Sequence, residues 1–398
     1  MRARSIARQL LCWPSASLFI TALLTVAVFY WQFAPWRMAG REMVGVRPIS
    51  VDEDEMDARL QRAATAALAG REGAILVINP QDGRLRAVVN PGRAFEQALS
   101  PGSTIKVFTA LTAMQSNLIN EKSRLLCHER YAGADFEINC SHPKIAAPFD
   151  PAQAIAYSCN YYFGKLGERI DAASFNSLLA AFGFGARTGL NHEGEATGSL
   201  PRVVGWQARD AIGEGRELRV TPIQLLMAYA ALVHGGHLYT PQLAATHEFK
   251  QKERATLSIA PAHRALLIEG MRGAVTYGTA LRSGLNNLPL YIFGKTGTAT
   301  AGDGPQTQGW FVGFASEQSS AAQSVSPDSA KLAVLVFLSE GHGAQCAEAA
   351  RSVFAAFAPP PDEGRVVKPA NDAETRETET RAGEIETRAQ DESSQDES

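Results

Sequence analysis

The stretch "SPGSTIKVFTALTAMQ", residues 100–115, places a serine and a lysine three positions apart, directly behind a Pro-Gly pair. Apolar side chains recur every three or four residues from Ile105 to Leu118, which predicts a helix with its turn at Pro-Gly. Ser103 and Lys106 would then share one face of its first turn. A helix start favours negative charge, so it would stabilise an alkoxide at Ser103, and the nearby amine could take the proton. Read alone, the same segment also fits a capping serine with a solvated lysine.

The composition is that of a folded protein with a separate acidic tail. Of 398 residues, 45% are apolar and 20% charged, enough for a sizeable core in one large or two ordinary domains. Residues 361–398 hold 12 acidic and 5 basic side chains, so of the net charge of −3 the tail carries −7 and the remainder +4. We expect residues 359–398 to be disordered, because they bury almost nothing apolar. The body shows no basic stripe with interleaved aromatics, which argues against nucleic-acid binding.

The N-terminal segment is typical of a membrane anchor. Residues 9–36 carry no charge, and residues 16–33 are almost wholly apolar, which is long enough to cross a bilayer. Three arginines precede this stretch, so the N-terminus should stay in the cytoplasm and the remainder should lie outside. The alternative is a cleaved signal peptide, but the stretch is long and no clear small-residue cleavage site follows it. We expect residues 1–36 to be an uncleaved, single-pass anchor in the cytoplasmic (inner) membrane.

Two cysteines, Cys127 and Cys140, bracket the short segment "CHERYAGADFEINC". Outside the cytoplasm they could form a disulfide, which contributes about 3 kcal/mol for a loop of this size in the chain-entropy model. His128 and His142 stand beside them, so a zinc site is the alternative, although the spacing matches no common zinc motif. We expect the Cys127–Cys140 disulfide, and we expect neither a metal nor a cofactor. The other cysteines of the body are expected to be small core residues: Cys159 and Cys346.

The order of the remaining segments predicts an α+β layer fold. Residues 37–70 read as a linker and a short helix. Two β-rich runs then flank Asn79–Gly83, which is a hairpin signal. Helical patterns fill most of residues 150–270, and three strand-like runs follow them: "LYIFGKTGTAT", "GWFVGFA" and "KLAVLVFL". A sheet that joins both ends of the chain, with helices between, fits this order.

The strand "GKTGTAT", residues 294–300, adds a second lysine to a glycine-rich segment. Glycines in a strand let another backbone or a ligand approach closely, and the free N–H groups of a strand can bind a carbonyl. A glycine-rich segment with Lys295 is also typical of a phosphate-binding loop, but the Walker spacing is absent.

The segment "YSCNYYF" offers the pair Ser158 and Asn160. This signal is weak by itself, because Ser174 and Asn176 have the same spacing. A structural capping role is the default interpretation of either pair.

Taken together and in this order, Ser-x-x-Lys, Ser-x-Asn and Lys-Thr-Gly form the signature of penicillin-recognising serine enzymes. From residue 71 to 358 the sequence resembles the transpeptidase domain of penicillin-binding proteins, most closely class B. Other matching segments are "GAILVINPQDGRLRAVV", "FGFGARTGL", "IGEGRELRVTPIQLLMAYAALVHGG" and "LAVLVFLSEG". The resemblance implies an antiparallel five-stranded sheet covered by helices, with an all-helical subdomain. It favours Ser158 over Ser174, because aromatic residues flank Ser158 as in the family.

The resemblance implies a catalytic role for five residues. Ser103 would be the acylated nucleophile and Lys106 its proton acceptor. Ser158 would relay the proton to the leaving amine, and Asn160 would bind the substrate amide and help to position Lys106. Burial and the nearby cation Lys295 would both lower the pKa of Lys106, which a neutral amine base requires.

Substrate binding would fall to the Lys-Thr-Gly strand. Lys295 and Thr296 would hold the terminal carboxylate of the substrate, and Gly297 would let it approach the strand. The N–H groups of Ser103 and Thr298 would form the oxyanion hole.

The implied function is that of a membrane-anchored serine D,D-transpeptidase that cross-links peptidoglycan. Its expected partners are D-Ala-D-Ala stem peptides, β-lactam antibiotics and the cytoplasmic membrane, with cell-wall synthesis proteins as further candidates. Residues 37–70 are too short for the pedestal domain usual in class B proteins, which leaves those protein partners open. The alternatives are a D,D-carboxypeptidase, a class D-like β-lactamase and a penicillin sensor that is acylated without useful turnover.

Overall fold

A computed structural model describes residues 53–359 except 135, 244–246, 301–305 and 318–326. The predicted membrane anchor, most of the linker after it and nearly all of the acidic tail lie outside these residues. Of the helices within the described ranges, none has the length and apolar composition needed to cross a bilayer.

A five-stranded antiparallel sheet forms the centre of the fold, as the sequence predicts. Its strands are β1 (Gly73–Ile78), β2 (Leu85–Val89), β7 (Leu290–Thr300), β8 (Thr307–Glu317) and β9 (Leu332–Leu338). Their order across the sheet is β2-β1-β9-β8-β7. The first and the last strand of the described residues meet where β1 pairs with β9. This order leaves β7, which carries the Lys-Thr-Gly motif, at one edge of the sheet.

Helices cover both faces of the sheet. They are α1 (Glu53–Leu68), α2 (Pro91–Phe95), α3 (Lys106–Gln115), α4 (Pro151–Ala156), α5 (Asn160–Gly167), α6 (Ala172–Ala181), α7 (Ala208–Ile212), α8 (Pro222–Val233), α9 (Pro261–Thr276) and α10 (Gly343–Phe357). Alternate residues of β1 point to opposite faces, as strand geometry requires: Leu76 joins the core with α3 and α8, whereas Val77 joins the core with α1 and α10.

Helix α8 shows how local sequence fixes an element of this core. Thr221 caps it, since its hydroxyl accepts the N–H of Gln224 while the Gln224 side chain accepts the N–H of Thr221. Pro222 occupies the first position, and Gly235 adopts a left-handed φ of 65° just beyond the end. The cap, the start and the end of this helix are thus set by residues of its own segment, and the helix is buried along its whole length.

The prediction of an all-helical subdomain is wrong in one respect. Two small antiparallel hairpins accompany its helices: β3 (Arg130–Ala132) with β4 (Glu137–Asn139), and β5 (His237–Tyr239) with β6 (Glu253–Thr256). Each strand has only three or four residues, too few for a period of two to stand out in the sequence. The first hairpin lies between Cys127 and Cys140, and its end contacts the N-terminus of α5.

Candidate active site

Ser103 lies on a tight turn packed against the edge strand β7. The turn is a 3₁₀ helix, Gly102–Ile105, and the α-helix begins only at Lys106, so the predicted α-helical first turn is corrected. Gly102 has φ 52°, and a Cβ atom there would lie 2.4 Å from the carbonyl oxygen of Thr298. The backbone of the turn can approach β7 this closely only because position 102 has no side chain. The hydroxyl of Ser103 is partly exposed and makes no hydrogen bond to any described residue.

Lys106 is fully buried one turn further on. Its Nζ donates to the carbonyl oxygen of Ser158 at 2.8 Å and to Oδ1 of Asn160 at 2.5 Å, and lies 3.4 Å from the Ser158 hydroxyl. Burial disfavours the charged amine and lowers the pKa of Lys106 from 10.5 to about 8. A substantial fraction of this amine is therefore neutral near physiological pH.

Lys295 approaches the same hydroxyl from β7. Its Nζ donates to Oγ of Ser158 at 2.9 Å and to the carbonyl oxygen of Thr296 at 2.8 Å. Burial, and then the charge of Lys106, hold the pKa of Lys295 well below its usual value. The Ser158 hydroxyl therefore lies between the two buried lysine amines.

The local backbone explains how Ser158 and Asn160 reach the two lysines. Ser158 is in the left-handed region at φ 53°, where a non-glycine residue is strained, and such strain is concentrated at functional sites. Asn160 is the first residue of α5, and its Nδ2 donates to the carbonyl oxygen of Asn139 at 2.7 Å. The amide is thus fixed with its oxygen toward Lys106.

The second Ser-x-Asn pair lies elsewhere and has structural contacts. The hydroxyl of Ser174 donates to the capping residue Asp171, and Asn176 donates to the carbonyl oxygen of Pro201. The structure brings Ser158 and Asn160, rather than this pair, beside Lys106.

The Lys-Thr-Gly strand is held in place by contacts that the sequence analysis missed. The hydroxyls of Thr296 and Thr279 are 2.6 Å apart, and the N–H of Gly343 donates to Oγ1 of Thr298 at 3.2 Å. A Cβ at Gly297 would lie 2.7 Å from Cγ2 of Thr104 in the serine turn. Thr279 and Gly343 belong to distant segments without a motif of their own, so no sequence signal pointed to them.

Glu214 is a further ionisable group at the end of the site. Its Oε2 accepts the N–H of Thr300, the last residue of β7, at 3.4 Å. Burial raises the pKa of its carboxyl group. In the sequence, Glu214 lies within the matching segment "IGEGRELRV".

Comparison with known proteins identifies the fold around these residues. Residues 73–334 match the sequence profile of the penicillin binding protein transpeptidase domain. The chain belongs to this family.

Individual members of the transpeptidase family agree with this assignment. The peptidoglycan D,D-transpeptidase MrdA of Acinetobacter baumannii is 27% identical, over 75% of this chain and 52% of the relative. The solved structure of Pseudomonas aeruginosa PBP2 in complex with WCK 5153 is 26% identical with a TM-score of 0.65, over 78% of this chain and 79% of that one. Helicobacter pylori PBP2, solved in complex with MreC, is 21% identical with a TM-score of 0.63, over 74% of this chain and 61% of that one. The chain thus spans about half the length of the curated relative MrdA.

Beside Ser158 and Asn160 lies a cluster of cysteines, which corrects the disulfide prediction. Cys127 and Cys140 are both free thiols, with their Sγ atoms 3.6 Å apart rather than at the bonding distance of about 2.05 Å. Cys159, expected to be a core residue, is buried, but its Sγ lies 3.4 Å from Cys127 and 3.8 Å from Cys140. The pairing of two cysteines is therefore replaced by a group of three.

Proposed function

We propose that this protein is a membrane-anchored serine D,D-transpeptidase that acts on D-Ala-D-Ala stem peptides during peptidoglycan cross-linking and is acylated by penicillins. The observation that carries the proposal is the hydroxyl of Ser158 held between the buried amines of Lys106 and Lys295. Two buried lysines with lowered pKa values beside a partly exposed serine turn suit serine acylation better than a structural ion pair.

In the proposed acylation, Oγ of Ser103 attacks the carbonyl carbon of the penultimate D-Ala. The serine proton passes to the neutral amine of Lys106. As the C–N bond breaks, the leaving D-Ala amine receives a proton through the hydroxyl of Ser158. The products are an acyl-ester on Ser103 and free D-alanine. The proton has passed from the nucleophile to the leaving group, so the protonation of Lys106 and Ser158 is the same as before the step.

The edge strand supplies the electrostatic part of this reaction. The N–H groups of Ser103 and Thr298 are assigned to the oxyanion of the tetrahedral intermediate, and removing one such donor typically costs about 100-fold or more in rate. The two segments lie close together, because Gly102 has no side chain to separate the turn from the carbonyl of Thr298. Lys295 and Thr296 are assigned to the substrate carboxylate, which would compensate the lysine charge.

The second half-reaction transfers the acyl group to an amine of another stem peptide. The acceptor nitrogen attacks the ester carbon and gives up one proton, through the hydroxyl of Ser158, to the neutral amine of Lys106. The bond to Ser103 then breaks, and Lys106 passes that proton to the departing serine oxygen. A D,D-carboxypeptidase would use water in place of the amine.

The wider setting of the reaction rests on sequence and relatives. The apolar residues 16–33 support a single-pass anchor in the cytoplasmic membrane, with the catalytic domain on the extracytoplasmic side. Cell-wall synthesis proteins are proposed as partners, supported by the solved complex of Helicobacter pylori PBP2 with MreC.

Labelling with a fluorescent penicillin tests the proposal. We expect the purified full-length chain in detergent to take up the label at Ser103, and the variant Ser103→Ala to lose it completely. Ser174→Ala, which alters the other Ser-x-Asn pair, is the matched control and should label normally. An adduct mapped by mass spectrometry to a residue other than Ser103 would refute the assignment. Release of D-alanine from a stem peptide, with and without an acceptor amine, then separates transpeptidase from carboxypeptidase.

A further inference from the structure

Four side chains with metal-binding atoms converge beside the Ser-x-Asn motif. They are Cys127, Cys140, His142 and Cys159, and their ligand atoms all lie within 4.8 Å of one another. Cys127 precedes the β3–β4 hairpin, Cys140 and His142 follow it, and Cys159 caps α5. Three separate segments of the chain therefore each contribute at least one side chain to this group.

The distances within this group match the edges of a zinc tetrahedron. In a tetrahedron, zinc–sulfur bonds of about 2.3 Å and zinc–nitrogen bonds of about 2.0–2.1 Å place two sulfurs about 3.8 Å apart and sulfur and nitrogen about 3.5–3.6 Å apart. The three Sγ–Sγ distances are 3.4, 3.6 and 3.8 Å, and Sγ of Cys127 lies 3.6 Å from Nε2 of His142. A disulfide would join only two of the cysteines and leave the third beside it.

Each prospective ligand also has the outer contact that a zinc ligand requires. A backbone N–H points at each sulfur: Glu129 at Cys127 (3.2 Å), Tyr161 at Cys140 (3.4 Å) and Tyr162 at Cys159 (3.4 Å). Nδ1 of His142 lies 2.8 Å from the carbonyl oxygen of Pro143. If Nδ1 donates to this carbonyl, Nε2 is left unprotonated and faces the sulfurs, which is the tautomer a metal needs.

We propose that Cys127, Cys140, Cys159 and His142 bind one zinc ion. Four protein ligands close the coordination sphere, so the ion is structural and has no open position for substrate. His128, the other histidine beside the cysteines, packs edge-on against Tyr161 and is not part of the group.

The site would hold the catalytic residues in place. Cys159 is the middle residue of Ser158-Cys159-Asn160, so a metal bound to its sulfur ties the start of α5 to the β3–β4 hairpin. The same two segments are joined by the hydrogen bond from Asn160 to Asn139. Zinc would therefore stabilise the strained Ser158 backbone and the Asn160 contact with Lys106. This positioning role rests on the proposed function, whereas metal binding does not.

Metal analysis of the full-length chain, exported and purified without reductant or chelator, tests the site. We expect about one zinc ion per chain, and a cobalt-substituted chain with the absorption of tetrahedral thiolate coordination. His142→Ala and Cys127→Ala should lose most of the zinc, whereas the matched controls His128→Ala and Cys346→Ala should keep it. A metal-free chain with a Cys127–Cys140 disulfide, or full zinc retention in Cys127→Ala, would overturn the proposal.

The positioning role is tested in one and the same chain, so that misfolding of a variant cannot decide it. Zinc is removed with a chelator and then restored, and the rate of penicillin acylation is measured at each stage. We expect acylation to slow several-fold and to recover with zinc. An unchanged rate would overturn the positioning role. Zinc binding by a chain that takes no penicillin label would refute the proposed function and leave the metal site standing.

Discussion

The Nζ atom of Lys106 lies 2.5 Å from Oδ1 of Asn160, although 54 positions separate the two residues in sequence. The amide of Asn160 is itself held by the carbonyl of Asn139, so it cannot turn away from the lysine. Together with the carbonyl of Ser158 it fixes two directions of the Lys106 amine. The remaining direction is left for the hydroxyls that exchange the proton.

We predict that Asn160→Ala slows penicillin acylation about 10- to 100-fold, because a hydrogen bond to a charged group is worth roughly 1.5–3 kcal/mol. The second-order acylation rate measures this effect. Asn176→Ala is the matched control, since it removes a half-buried asparagine hydrogen bond outside the site. Equal losses in the two variants would show that the effect is one of stability and not of lysine positioning.

The pH dependence of acylation should follow Lys106. Its pKa is lowered to about 8 by burial, and only the neutral amine accepts a proton. The rate should therefore rise with pH through about 8, and below that point it should fall about tenfold for each pH unit. The acylation rate between pH 6 and pH 9.5 checks this.

The midpoint of the pH profile shows whether Lys106 is the base. A flat profile, or a midpoint near the ordinary lysine value of 10.5, would contradict the assignment of Lys106 as a half-neutral base. Lys106→Arg should label poorly at every pH in this range, because a guanidinium stays charged. Measuring it beside the unaltered chain separates base loss from loss of charge.

Periodic and capped segments of this fold could be read from the sequence. The run "LYIFGKTGTAT" is β7 from its first residue to its last, and Thr221, a typical capping residue followed by proline, starts α8. Both signals are local, because strand alternation and caps depend on neighbours within a few positions. The order of the Ser-x-x-Lys, Ser-x-Asn and Lys-Thr-Gly motifs could also be read, because it is a property of the sequence itself.

What could not be predicted depends on contacts between distant segments. The 3₁₀ turn that begins at Gly102 packs against the carbonyl of Thr298 in β7, which lies far along the chain. Cys159 lies beside Cys127 although 32 positions separate them, and only the fold shows that Cys159 belongs with Cys127 and Cys140. Glu214 contacts Thr300 across 86 positions, so its position at the end of β7 could not be predicted from the segment that contains it.

The close approach of the serine turn to β7 leads to a prediction about Gly102. Gly102→Ala should lower acylation by about 100-fold or more, the typical cost of losing an oxyanion donor, because its Cβ would displace the turn from Thr298. Gly70→Ala is the matched control, since Gly70 also has a positive φ, 78°, but nothing lies within 4 Å of its would-be Cβ. This control isolates the backbone strain of an alanine at positive φ, which should lower the free energy of unfolding by roughly 1 kcal/mol. Thermal unfolding measures that loss.

The fate of the acyl-enzyme depends on whether a carboxylate can activate water. Most glutamates near the middle of the chain have other partners: Glu168 with Lys165, Glu195 with Thr188, Glu217 with Arg202 and Glu253 with His237. Glu214 differs, because it lies at the end of β7 and contacts the N–H of Thr300. That contact holds its carboxylate on the strand backbone.

We therefore predict a penicilloyl adduct that lasts minutes to hours, which corresponds to a deacylation barrier of roughly 20 kcal/mol or more. Intact-mass measurements after removal of free penicillin give the lifetime. Glu214→Gln should leave it unchanged, as should the matched control Glu217→Gln, because neither carboxylate activates water. Hydrolysis of nitrocefin at several turnovers per second would contradict the prediction and indicate a β-lactamase. Loss of that hydrolysis in Glu214→Gln alone would then identify Glu214 as the base.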